Sequence, residues 1–147
     1  MTDNMTNGAK FRYLEHTADA KFQAFGATLE EAFANAALAV ASLMWNPVQV
    51  APARKEVVRV GGNDLEQLLM AFLEEILYRL DTQEFLLHRA EEVRISIGQQ
   101  GCELEAVFVG DAGTGRYEIF GEVKAITYND MKIEAGDVAL VQVVVDM

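Results

Sequence analysis

The sequence is poor in the residues from which many sites are built: one cysteine, two histidines, two prolines and one tryptophan. The lone Cys102 excludes an internal disulfide, and together with the two histidines it leaves too few ligands for a structural zinc site. Basic residues are also scarce, 12 Lys and Arg against 23 Asp and Glu, and the resulting net charge of -11 works against unaided binding to a phosphate backbone. Solubility accounts for such a charge by itself; a basic partner is the other reading. The phosphate loop, the Gly-x-Ser-x-Gly elbow, the Cys-x-x-Cys pair and the His-Glu-x-x-His helix are all missing. The three glycines between Gly110 and Gly115 precede no helical pattern, so they make a loop between strands, not a phosphate cradle.

Long apolar runs are absent too. The richest blocks, 29–44 and 65–80, are interrupted by Glu30, Glu31 and Asn35 and by Glu66, Gln67, Glu74, Glu75 and Arg79, which excludes a bilayer-crossing helix. The polar stretch 1–10 lacks the apolar core of a secretory signal, so it is read as a flexible lead-in to one domain over 11–147. A cytoplasmic location is expected.

What the sequence does contain is periodicity. Short strands are predicted at 11–14 and 20–25, with the polar segment Glu15 to Asp19 between them. Thr28 and Glu31 form a capping box for a first helix, whose Leu29, Ala32, Phe33, Ala36, Val40, Leu43 and Met44 share one face. Pro47 and Pro52 end it, and 55–60 resumes as a strand. Asn63 or Asp64 caps a second helix with a stripe running from Leu65 through Leu68, Leu69, Phe72, Leu73, Ile76 and Leu77 to Leu80. From Phe85 the period moves toward two. Strands are expected through 93–97 and 102–108 around a four-residue hairpin loop, then at 124–128, 131–134 and 138–145. Cys102 falls in that alternation as a buried, inert thiol, and His88 on an ordinary strand with no function. No internal repeat, low-complexity run or linker divides the pattern, which gives an α+β domain: two helices packed on one face of a largely antiparallel β-sheet.

The polar residues worth weighing lie at strand ends: His16 and Asp19, Asn129 and Asp130, and Asp146 before Met147. Spacing alone admits two readings. Asp19 and Asp130 can be turn residues, His16 a hydrogen-bonded loop residue and Asp146 a solvated strand end. Alternatively, the end of the valine-rich strand brings a carboxylate, terminal carbonyl oxygens and a loop carboxylate together, as hard cations require. Spacing favours the first reading.

Several segments resemble the archease family: Glu-His-Thr-Ala-Asp at 15–19, Phe-Gly-Ala-Thr-Leu-Glu-Glu-Ala-Phe at 25–33, Asn-Ala-Ala at 35–37, Val-Lys-Ala-Ile-Thr-Tyr-Asn-Asp-Met at 123–131 and Val-Val-Val-Asp-Met at 143–147. The second helix running into Leu80-Asp81 is similar as well, so the likeness spans nearly everything after the first ten residues. It implies an archease-like fold and a divalent-ion site, with Asp19 and Asp146 matching the metal carboxylates and the Met147 backbone matching the last oxygen donor. That reverses the preference drawn from spacing. Calcium is the ion it implies, with magnesium and manganese also suited to oxygen ligands. His16 falls within the matching segment, Lys124 matches a lysine beside the site, and Asp130 matches the acidic residue of a Thr-Tyr-His-Asp motif. Asn129 replaces that histidine. An amide hydrogen-bonds but does not titrate near neutral pH, so a proton-transfer role there is lost.

Archeases activate the GTP-dependent, RtcB-type RNA ligase of tRNA splicing by promoting guanylylation of the ligase's own histidine and its turnover. The resemblance therefore implies an accessory protein that is not itself an enzyme, with that ligase as partner and with neither a membrane nor stable direct nucleic-acid contact. The competing readings are a metal-clipped binding or chaperone-like module and a metal-dependent hydrolase using Asp19, Asp130 and Asp146.

Overall fold

The computed structural model describes residues 9–15 and 19–147. The chain begins with β1 (Phe11–Leu14) and β2 (Ala20–Gly26), and β2 turns directly into α1 (Leu29–Ser42). The capping box forms: Thr28 Oγ1 accepts from Glu31 N at 3.1 Å and the Glu31 carboxylate accepts from Ala27 N, so two otherwise orphaned donors are satisfied. The same corner recurs between β3 (Arg54–Gly62) and α2 (Leu65–Gln83). There Asp64 Oδ1 accepts from Gln67 N at 2.8 Å and Gln67 Oε1 accepts from Asn63 N at 2.9 Å. Glycine stands at both corners for one reason: a Cβ on Gly26 would lie 2.5 Å from Ala32 N, and one on Gly62 would lie 2.8 Å from Leu68 N.

α1 ends at Ser42, before the predicted Met44. Leu43 N and Met44 N bond back to Val40 O and Ala41 O at 3.2 and 2.9 Å, a tightened last turn ahead of Asn46 and Pro47. Trp45, fully buried, then donates from Nε1 to Leu87 O at 3.0 Å.

The remaining strands are β4 (Phe85–Gly98), β5 (Gly101–Ala112), β6 (Ala125–Glu134) and β7 (Ala139–Asp146). Gly98 pairs directly with Gly101, so the β4–β5 turn is Gln99 and Gln100 alone instead of four residues, and β5 extends through Gly110. The α+β class and both helices are as the sequence predicts. The strands, however, divide into two antiparallel sheets, β1-β2-β7-β6 and β3-β5-β4. Each helix touches both sheets.

That double cover explains why α1 buries Ala37, Ala39 and Ala41 beyond its predicted stripe. Small side chains let the second sheet approach. Phe72 sits between Phe33 and Phe108, with ring centroids 6.2 and 5.5 Å apart, and so joins α1, α2 and β5 in one core. Each such ring removed from water contributes roughly 1.5–3 kcal/mol. Cys102 is buried in this core, and His88 lies on β4 with Nδ1 2.8 Å from Pro47 O.

Candidate functional site

β7 lies between β2 and β6, and its last residues collect side chains from distant parts of the sequence. Ala20 pairs with Val145, so Asp19, one residue before that pair, and Asp146, one residue after it, stand at the same end of the sheet. On the other side Ala125 pairs with Asp146, and Lys124 N donates to Asp146 O at 2.7 Å. Residues 19, 124, 146 and 147 thus share one end of the sheet. Asp146, Met147 and Lys124 are exposed there.

Two neighbours shape this end. Tyr13, Leu14, Glu15, Asp19, Lys21 and Leu43 line a cleft of about 750 Å³. Inside it Tyr13 donates its hydroxyl to Ala39 O at 2.7 Å; burial pushes its pKa up to about 12, offset in part by a hydrogen bond with Ser42. Tyr13 is therefore a neutral donor at physiological pH, not a base. On the far side Phe120 N donates to Met44 O at 2.9 Å, and a Cβ on Gly121 would lie 2.2 Å from Leu43 O and 3.7 Å from Met147 Cε. The segment leading to Lys124 is pressed against the Leu43 carbonyl just past the end of α1, which only glycine permits, while Met147 stands in ordinary contact.

Asn129 and Asp130 do not occupy a turn between two strands, as the sequence predicts. β6 is one strand carrying a wide bulge: Thr127 pairs with Val144 and Lys132 with Gln142, leaving Tyr128 to Met131 opposite Val143 alone. The chain bulges outward and then resumes its ladder, with Asp130 at φ 51° absorbing the kink. Asp130 Oδ2 lies 3.4 Å from Lys21 Nζ, and its backbone oxygen accepts from Gln142 Nε2 at 2.7 Å. Gln142 Oε1 accepts from Gln23 Nε2 at 2.9 Å, and Gln23 Oε1 accepts from Arg12 Nε and Nη2 at 2.9 and 2.6 Å. Neither periodicity nor the motifs single out Lys21, Gln23 and Gln142. The available signal was Gln142 itself, one amide inside an otherwise apolar valine run.

Among the described residues no three His, Cys, Asp or Glu side chains cluster as a metal cage. His16 lies outside the described residues. What the sheet end offers is two carboxylates, Asp19 and Asp146, with the backbone oxygen of Met147 as a neighbouring donor. A donor set made only of oxygens fits a hard cation that takes the rest of its shell from water, and does not fit zinc. Asn129 stands exposed on the bulge, its N–H donating to Thr127 Oγ1 at 3.3 Å.

The chain matches the archease protein family (MTH1598/TM1083) over residues 11–147. It is 39% identical over 142 residues to protein archease of Pyrobaculum neutrophilum, covering 95% of this chain and 96% of that one. It is 39% identical over 146 residues to protein archease of Methanosarcina acetivorans, covering 97% and 99%. The solution structure of Methanobacterium thermoautotrophicum protein 1598 superimposes with a TM-score of 0.79 at 31% identity, covering 94% of this chain and 99% of that one. With sequence and fold in agreement along the whole domain, this chain belongs to the archease family.

Proposed function

We propose that this protein is an accessory factor for a GTP-dependent, RtcB-type RNA ligase, in tRNA splicing or RNA repair, and that it acts by promoting guanylylation of the ligase and its turnover. The observation that carries the reading is the convergence of Asp19, Lys124 and Asp146 at the open end of β7, beside the bulge bearing Asn129 and Asp130. In an archease these are the residues the family motifs single out. The chemistry belongs to the partner: this end of the sheet offers carboxylates, a lysine and the Asn129 amide, groups suited to holding an ion and docking against a charged surface.

The Asp19 and Asp146 carboxylates, with the backbone oxygen of Met147, would hold a divalent ion, calcium by preference, which supplies a fixed positive charge. The acidic exterior, with a net charge of -11, favours encounter with a basic rim on the ligase and disfavours holding RNA directly. The protein acts in the cytoplasm, on RNA that the ligase holds.

The test is guanylylation of the cognate ligase with GTP and manganese over many turnovers, with and without this protein and its Asp19→Ala variant. Stimulation by the wild type that is lost in a folded Asp19→Ala supports the accessory role and places it at the carboxylate end. Absence of stimulation by folded wild-type protein overturns it and favours a metal-clipped binding module.

A further inference from the structure

The bulge of β6 presents Tyr128, Asn129 and Asp130 to solvent, Tyr128 being 54% exposed, yet its backbone is anchored from beneath. An outward kink of this size leaves several main-chain groups outside the β6–β7 ladder, and such groups need other partners to hold one conformation. Asp130 O finds its partner in Gln142 Nε2 at 2.7 Å. Gln142 is only 4% exposed, although it is polar and sits in the valine strand at the centre of the sheet. Burying an amide there is unfavourable unless both of its ends are bonded, and both are: its oxygen accepts from Gln23 Nε2 at 2.9 Å on the opposite neighbouring strand. Gln23 is in turn oriented by the Arg12 guanidinium on β1. One row of side chains therefore crosses all four strands, Arg12 on β1, Gln23 on β2, Gln142 on β7 and the Asp130 backbone on β6.

The direction of the row matters. Arg12 carries only donors, so Gln23 must turn its oxygen toward β1 and its NH2 toward β7; Gln142 must then turn its oxygen toward Gln23 and its NH2 toward β6. The charged end thus fixes both amides in the one orientation that leaves an N–H aimed at Asp130 O. A leucine at 142 would fill the same space and pack as well beside Val144 while losing this property.

We propose that Gln142 is a positioning residue: through this amide row it fixes the Tyr128–Asp130 bulge in the one presentation by which the protein engages its partner. The claim rests on the accessory role proposed above for the partner, but the anchoring itself is a property of this chain alone. Lys21, 3.4 Å from the exposed Asp130 carboxylate, is a second tether that restrains the side chain without bonding the backbone.

The experiment compares wild type with Gln142→Leu by amide hydrogen exchange and by the ligase guanylylation assay. Loss of one backbone anchor should speed exchange of the 128–131 amides roughly tenfold, while the amides of Val141, Val143 and Val145 keep wild-type protection. Stimulation of the ligase should fall about as much, since a partner must then select a minor conformation. Unchanged exchange at 128–131 in the folded variant overturns the anchoring. Faster exchange with full stimulation overturns the positioning role. Gln142→Asn, one methylene too short to bridge Gln23 and Asp130 yet still an amide, is read by the same criteria if Gln142→Leu does not fold. Failure of the wild type to stimulate any ligase would sink the accessory function and leave the exchange result to decide the anchoring on its own.

Discussion

Lys21 of β2 reaches Asp130 of β6 at 3.4 Å with β7 running between them, so this ion pair passes over the Gln142 and Val144 side of the central strand. Val144 is fully buried although it lies outside the main apolar cluster, and the overhead pair together with the bulge helps to cover it. The Asp130 side chain is 62% exposed, which limits what the charge interaction contributes. Lys21→Met or high salt should change unfolding free energy by less than about 1 kcal/mol. The backbone at Asp130 is the more demanding feature. Its φ of 51° is left-handed, so Asp130→Asn should fold normally while Asp130→Val should lose roughly 1–2 kcal/mol in urea denaturation.

The core makes the opposite demand. Phe72 is fully buried and touches rings on both α1 and β5, so Phe72→Ala removes contact between three elements at once. A loss of about 3–5 kcal/mol is expected, with the denaturant slope unchanged if the residual fold is intact. Phe72→Leu, which leaves less empty volume, should lose clearly less in the same urea titration.

How much of this was legible beforehand follows from which forces are local. The capping residues Thr28 and Asp64, the stripe from Leu65 to Leu80 and the alternation around Cys102 are written in neighbouring positions, and each formed where expected. Division into two sheets was not legible, because it depends on which strands pair across the chain: β2 meets β7 over a separation that no periodicity encodes. The sequence predicts a turn where β6 bulges, for a related reason. Asn129-Asp130 is turn chemistry, and only the partner strand decides whether the chain reverses or resumes. The gathering of Asp19, Lys124 and Asp146 became visible in the sequence through family motifs, and physically only through the registers of β2 and β6 on β7.

A separate prediction concerns acid. Asp111 is buried at the end of β5, and the Tyr117 hydroxyl donating to it at 2.6 Å, with Ala112 N and the Arg116 and Arg54 charges, holds its pKa below the ordinary carboxyl value against the opposing effect of burial. A depressed folded pKa means that this carboxylate stabilises the fold above the ordinary carboxyl range, and that the contribution disappears as pH falls through the depressed value. Tyr117→Phe should let the carboxyl titrate nearer its ordinary value by carbon-detected NMR. The stability gap between wild type and variant, measured by denaturation, should narrow as pH is lowered through that range. A gap independent of pH would mean that Tyr117 acts by packing and by its bond from Ala51 N alone.

The carboxylate end of β7 carries a prediction in which the sign depends on the ion. Asp19 and Asp146 stand at the same end of the sheet in a chain whose net charge is already -11, so without a cation the removal of one negative charge there should not destabilise the fold. In chelator, Asp146→Asn should therefore equal or exceed the wild type in thermal stability. On the proposed ion site, added calcium should reverse the order: an ion held only by the folded state stabilises it by mass action, about 2.7 kcal/mol at a hundred times its dissociation constant, and Asp146→Asn would lose one of the two proposed carboxylate ligands. The wild type should then melt above the variant, with magnesium giving a smaller shift because it demands a tighter octahedral shell and gives up water reluctantly. Scanning calorimetry of both proteins in chelator, calcium and magnesium checks this. If Asp146→Asn keeps the same offset from wild type in all three, the two carboxylates are not sharing an ion.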